Sequence, residues 1–207
     1  MASVAAPYGL RPVNEIGGLP YAGSTRSFLI DPAGTASSIY YGSPVYVNAS
    51  GYLAVATATG ADATTNGFPV GTANTGIVGV FVGCSYVNAQ GQVIYAQYYP
   101  TGTTGVIQAY VVDDPNVVFQ VQSAGAVTQA ALGANVFFST GAVATGSTTT
   151  GNSTASVVAG SSAVTTTAAF RVVGFVNSPT SQVGDAYTDI LVKINPGYHS
   201  YTNAVGL

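Results

Sequence analysis

Apolar residues in this chain recur at every second position and never for long. Phe119 and Val121 alternate with Gln120 and Gln122, and Ile190, Val192 and Ile194 alternate with Leu191 and Lys193. A two-residue period places one set of side chains on a buried face and the other toward solvent, the pattern of a half-buried strand. The same reading predicts strands at Arg26 to Ile30, Val45 to Val47, Tyr52 to Thr57, Ile77 to Val82, Val93 to Tyr99, Val106 to Val112, Val136 to Ser139 and Arg171 to Val176. The 26 glycines and 10 prolines fall mostly between these runs, where turns need them. Helix is disfavoured independently, because the chain has a single Lys, a single Glu and a single Met against abundant Val, Thr and Tyr. One helical turn is expected at Val127 to Leu132. The fold class is therefore all-β.

Charge excludes further classes. Only 5% of the residues are charged, where about 25% is usual. The four basic residues, Arg11, Arg26, Arg171 and Lys193, are too few to neutralise a run of phosphates, so no nucleic-acid partner is expected. Disorder by composition is excluded by the 47% hydrophobic content and a net charge of only -3. No stretch approaches the ~20 apolar residues of a membrane helix, and no membrane partner is expected. An outer-membrane barrel is a weaker reading that would need an export signal, and the N-terminus shows no basic segment followed by an apolar run.

Landmarks repeat in order along the chain. Gly42-Ser-Pro-Val-Tyr-Val recurs as Gly133-Ala-Asn-Val-Phe-Phe at an offset of 91, Gly79 in Ile77-Val-Gly-Val matches Gly174 in Val172-Val-Gly-Phe at 95, and Gly91 matches Gly184 at 93. This predicts an internal duplication giving two similar small β-barrel or sandwich-like units, at 24–110 and 111–207. Residues 1–23 hold Pro7, Pro12 and Pro20, which rule out a regular helix or a central strand. They are read as an extended N-terminal arm that packs through Tyr8, Leu10, Val13, Ile16, Leu19 and Tyr21 on its own body or on a neighbouring subunit. Residues 140–167, uncharged and rich in Thr, Ser, Gly and Ala, are read as a long surface loop with room for one β-hairpin, the most exposed part of the chain.

Few residues carry chemistry. The single His199 is read as a packing histidine between Tyr198 and Tyr201, and no Gly-x-Ser-x-Gly elbow accompanies it. The rival reading makes it the base for a Ser or for Cys84, oriented by Asp185 or Asp189. Cys84 is read as a small buried hydrophobe, and one Cys excludes an internal disulfide. Zinc lacks ligands. Calcium could use Asp113 and Asp114, but Asp114-Pro115-Asn116 reads first as a β-turn. Asp185 and Asp189 are read as exposed positions that keep a strand edge soluble. No two glycines lie two apart and Lys193 is followed by Ile194, so neither nucleotide-binding fingerprint is present. Tyr40-Tyr41 and Tyr98-Tyr99 place one ring on each sheet face, suiting interface packing as well as a sugar platform. No enzyme activity, cofactor or metal is expected.

Five segments stand out: Ala5-Ala-Pro-Tyr-Gly-Leu-Arg-Pro-Val-Asn14, Tyr21-Ala-Gly-Ser-Thr-Arg26, Ala109-Tyr-Val-Val-Asp-Asp-Pro115, Phe119-Gln-Val-Gln122, and Val183-Gly-Asp-Ala-Tyr-Thr-Asp189 through Tyr198-His-Ser-Tyr201. They resemble virion structural proteins of tailed phages, among them the capsid decoration, or cement, proteins of cyanophages and marine phages. The resemblance implies a non-enzymatic protein on the outer capsid surface, made in the host cytoplasm without a signal peptide. It implies that the chain bridges major capsid subunits and associates with itself, in threes rather than twos. Its contacts with capsid or sister subunits would come from Tyr8, Leu10, Arg11, Pro12, Val13, Ile16 and Arg26. The rival reading is a phage tail or receptor-binding module, with residues 140–167 at an adhesive tip.

Overall fold

The computed structural model describes residues 3–56, 76–139, 145–158 and 168–202. Thr57 and residues 140–144 and 159–167, on which parts of the reading above fall, lie outside the described residues. The chain is all-β, and among the described residues it forms two sheets and two single-turn 3-10 segments, at Gln129–Ala131 and Pro196–Tyr198. The strands are β1 (Arg11–Glu15), β2 (Arg26–Ile30), β3 (Pro44–Val47), β4 (Leu53–Val55), β5 (Gly79–Val87), β6 (Val93–Ala96), β7 (Ile107–Val112), β8 (Val117–Gln122), β9 (Asn135–Val136), β10 (Phe170–Phe175) and β11 (Asp189–Ile194).

The six-stranded sheet runs β3-β4-β2-β7-β5-β6, and β3 also pairs with β5, so five of its strands close a hydrogen-bonded circuit. The five-stranded sheet runs β1-β8-β11-β10-β9. Its open side is bridged by Val157, which pairs in parallel with Ser123 just beyond β8 and antiparallel with Phe138 just beyond β9.

Period-two burial holds along β11, whereas on β8 Gln122 is buried as well as Phe119 and Val121, because the N-terminal arm lies over it. Ile190, Val192 and Ile194 of β11 are buried while Asp189, Leu191 and Lys193 are half-buried. The six-stranded sheet encloses Ile30, Val45, Leu53, Phe81, Tyr99, Ile107 and Val111. The five-stranded sheet encloses Phe119, Val121, Phe138, Phe170, Val172, Ile190 and Val192. Phe138 meets Phe170 edge to face at 4.4 Å between ring centres, a favoured aromatic geometry. Ile77, Val80 and Val112, from the six-stranded side, join this second core, so the two sheets share one apolar seam.

Two expectations change. The Thr/Ser-rich stretch is exposed at Thr148 to Thr150, yet Ser153, Ala155 and Val157 are fully buried. The Ser153 N–H donates to the Tyr41 carbonyl at 2.8 Å, and the Tyr41 N–H donates to the Gly151 carbonyl at 3.0 Å. Low charge here reflects burial against a sheet opening as much as solvent exposure. The second change concerns Asp189, which lies on β11, a central strand, and not on an edge.

Candidate functional site: the N-terminal arm and its seat

The arm begins its approach at a glycine contact. Gly9 and Gly42 both have positive φ, +79° and +83°, and Leu10 donates its N–H to the Gly42 carbonyl at 2.9 Å. A Cβ on Gly9 would stand 2.9 Å from the Gly42 oxygen, and one on Gly42 would stand 2.9 Å from the Leu10 nitrogen. Only glycines allow this crossing. It delivers Leu10 into the core of the five-stranded sheet, where it is fully buried.

Beyond Leu10 the chain becomes β1 and pairs with β8, Arg11 opposite Gln120 and Glu15 opposite Val117, with a bulge between Pro12 and Asn14. Proline cannot donate to a ladder, so an edge strand is where Pro12 can sit. Before Gly9 the arm crosses the outer face of the same sheet. Gln122 holds it from both sides: its Oε1 accepts the Ala6 N–H at 2.8 Å and its Nε2 donates to the Val4 carbonyl at 3.1 Å. The Tyr187 N–H donates to Ser3 Oγ at 2.9 Å, and the Tyr8 hydroxyl donates to Asp189 Oδ1 at 2.9 Å. The Arg11 guanidinium lies 4.3 Å above the Tyr8 ring centre, a cation–π contact. Burial, then the Asp189 charge, holds the Tyr8 pKa above the usual phenol value, so Tyr8 stays a donor through neutral pH.

Of the remaining apolar arm residues, Tyr21 is half-buried against the core of the five-stranded sheet and the other three face outward. Val13 is 42%, Ile16 52% and Leu19 64% exposed, on a turn in which Glu15 donates its N–H to the Leu19 carbonyl at 2.8 Å. Of the seven interface residues read from sequence, Tyr8, Leu10, Arg11 and Pro12 are thus engaged on the chain's own body, while Val13 and Ile16 are free on its surface. Gln122 and Asp189, the two side chains that seat the arm, were not singled out for that role. Their only sequence signal was a polar residue on the outer face of an alternating strand.

Arg26 stands apart from the arm. Its Nε pairs with Asp113 Oδ2 at 2.9 Å, and Asp113 also accepts the Tyr201 hydroxyl at 2.8 Å. The Arg26 guanidinium lies 5.2 Å from the Tyr201 ring centre. His199 packs beside this group, 1% exposed, and its Nδ1 accepts the Tyr201 N–H at 3.2 Å. The proton of the neutral ring is therefore on Nε2. Burial lowers the His199 pKa, opposed by the charges of Asp113 and Asp114. Its acidic neighbours are these two, not Asp185 or Asp189.

Cys84 is buried in the other core, where desolvation pushes its thiol to about 12. Asp114 forms the turn expected of it: its Oδ1 accepts the Asn116 N–H at 2.7 Å and its carbonyl the Val117 N–H at 3.2 Å. No group of three or more His, Cys, Asp or Glu is placed to hold a metal among the described residues. No helix among them is long and apolar enough to cross a membrane. Tyr40 and Tyr98 stack at 5.5 Å and 12°, while Tyr99 is fully buried with its hydroxyl on the Thr103 carbonyl.

Comparison of the chain with protein families, with curated proteins and with solved structures finds no match.

Proposed function

We propose that this chain is a non-enzymatic virion structural protein that decorates the outer surface of a phage capsid and braces it by bridging major capsid subunits. The observation that carries the reading is the arm: its inner side is pinned to a rigid β body by Leu10 and Gln122, while Val13, Ile16 and Leu19 stand outward as an apolar row. Such a row, repeated over a symmetric shell, adds many weak contacts into a firm hold. The low charge favours dense packing of copies on that surface and association of the chain with itself.

We infer, too, that the two sheets are barrel-like units descended from one duplicated segment. An offset of 91 carries the Gly42 N–H to Phe81 carbonyl bond onto Gly133 to Val172, and the Phe81 N–H to Ser43 carbonyl bond onto Val172 to Ala134. The same offset carries the bulge between Phe81 and Gly83, opposite β7, onto that between Val172 and Gly174, opposite β11. The parallel Ile30–Leu53 and antiparallel Val47–Leu53 pairings have their counterparts in Ser123–Val157 and Phe138–Val157. In this alignment Gly174 answers to Gly83 rather than to Gly79.

The test is binding to purified undecorated capsids. Deleting residues 1–23 would empty the site of Leu10 and disturb the fold, so the variant used is Val13→Asp with Ile16→Asp and Leu19→Asp. Saturable binding by the parent chain that the triple variant loses supports the reading. Absence of binding by the parent chain, or binding unchanged in the variant, overturns it in favour of a tail-associated module.

A further inference from the structure

The outer face of the six-stranded sheet carries an apolar patch in register. Leu29 lies opposite Gln108, Gln108 opposite Ser85, and Ser85 opposite Tyr95. In the next row Val87 lies opposite Val93, and Val106 precedes Ile107, which is opposite Tyr86, so Val106 flanks Val87. Leu29, Val87, Val93, Tyr95 and Val106 are 48%, 53%, 60%, 77% and 72% exposed. Together these side chains offer roughly 500 Å², as much as the largest apolar patch on a typical monomer.

What lies on the corresponding face of the other sheet makes this bareness informative. The Leu29–Gln108 pair answers to Gln122–Asp189, and Val106, two residues before Gln108, answers to Tyr187. Those three residues hold the arm. The chain has one arm and two such faces; on the bare one Leu29 stands in place of Gln122, while Gln108 keeps a polar side chain in place of Asp189.

The patch ends at β6, whose outer edge pairs with no strand among the described residues. Edges are ordinarily guarded by charge, proline or a bulge, and β1, at the edge of the other sheet, has all three in Arg11, Pro12 and its irregular register. The β6 strand, Val93-Ile-Tyr-Ala96, has none, and no charged residue occurs between Asp62 and Asp113.

We propose that two copies of this chain associate through β6, pairing their free edges antiparallel about a twofold axis and joining the two patches. An uncharged surface meets its own copy without repulsion, and a twofold contact needs only one self-complementary surface. Pairing of the two β6 backbones sets Val93 and Tyr95 of each copy beside those of the other across the seam, where neighbouring side chains on one face shield each other from water. This contact differs from the threefold association that the phage resemblance implies. The correspondence of the two faces rests on the duplication proposed above; the capsid reading is not needed.

Sedimentation equilibrium of the full chain, without capsids, is the experiment. A dimer is expected, with a dissociation constant raised about tenfold or more by Val93→Lys or Tyr95→Lys, and unchanged by Leu132→Lys, an exposed apolar position off the patch. Circular dichroism melts of each variant verify folding. Amide hydrogen exchange of the parent chain should show residues 93–96 protected in concentrated but not in dilute samples. A monomer at all concentrations, a trimeric mass, or a dimer indifferent to both lysines and without concentration-dependent protection overturns the proposal. Because no capsid is present, failure here leaves the capsid-binding experiment to be judged separately.

Discussion

The outer faces of the two sheets are built on the same pairings and finished differently. Across β8 and β11 the facing residues are Gln122 and Asp189, and an extended segment of the chain lies over them. Across β2 and β7 the facing residues are Leu29 and Gln108, and Leu29 is about half exposed. A polar outer face can capture backbone: the Gln122 side chain satisfies one N–H and one carbonyl that would otherwise need water or a strand. An apolar outer face can only be covered by apolar groups. On this register row the difference is Leu29 in place of Gln122, which removes the side chain that bonds the arm from both sides.

The comparison breaks first at Leu10, the one arm residue wholly inside the core. Leu10→Ala should destabilise the protein by about 2–5 kcal/mol, the cost of a buried cavity, read as a fall in the urea midpoint. Protection of the Ser3 to Glu15 amides should fall with it, while the β2–β7 amides keep their order of exchange. Next is Gly42→Ala, which puts a Cβ at positive φ against the arm backbone. A loss of about 1–3 kcal/mol is expected, and a calorimetric melt should show it, whereas Gly91→Ala, at positive φ with nothing near its Cβ, should cost less.

Gln122→Leu makes the covered face resemble the bare one. Both arm bonds go, and a loss of about 1–2 kcal/mol is expected, with faster amide exchange confined to Ala6 and its neighbours; an unchanged exchange rate at Ala6 would contradict the seat described. The reciprocal Leu29→Gln should leave stability within about 0.5 kcal/mol.

The seam between the sheets adds a pH dependence. Burial depresses the His199 pKa in the fold below its unfolded value near 6.5. The unfolded chain therefore takes up the proton first as pH falls, so this contribution is whole above about pH 6.5, declines below it, and levels off once the folded-state value is passed. Urea midpoints at pH 8, 6.5 and 5 should fall in that order, with a shallower slope for His199→Gln. A small effect is expected of Arg26→Gln too: its ion pair with Asp113 is mostly exposed on the arginine side, and at most ~1 kcal/mol should be lost in melting.

Legibility in the sequence followed the range of the forces involved. Strands β8 and β11 could be read directly because alternation is a property of neighbouring residues. Strand β1 could not, since Pro12 argues against a ladder and only an available edge on β8 makes a strand of it. Residues 153–157 carry the buried set Ser153, Ala155 and Val157 at period two, but small side chains among threonines and serines gave too faint a contrast to separate from a surface loop. Cys84 and the Asp114 turn were legible because burial of a lone thiol and the geometry of an Asp-Pro-Asn turn are local preferences.

The amino-acid sequence by itself determined that the chain is all-β, where most strands and turns fall, and that the surface is nearly free of charge. These follow from backbone sterics, side-chain shape and the two-residue period, which act within a few residues. Only the tertiary structure decided which strands pair, that Val157 bridges the second sheet, and that Gln122 and Asp189 receive the arm. Those outcomes join residues well separated along the chain, Tyr8 and Asp189 by 181 positions, and they depend on which unsatisfied backbone groups and which apolar faces the folded sheets bring within a few ångströms of one another.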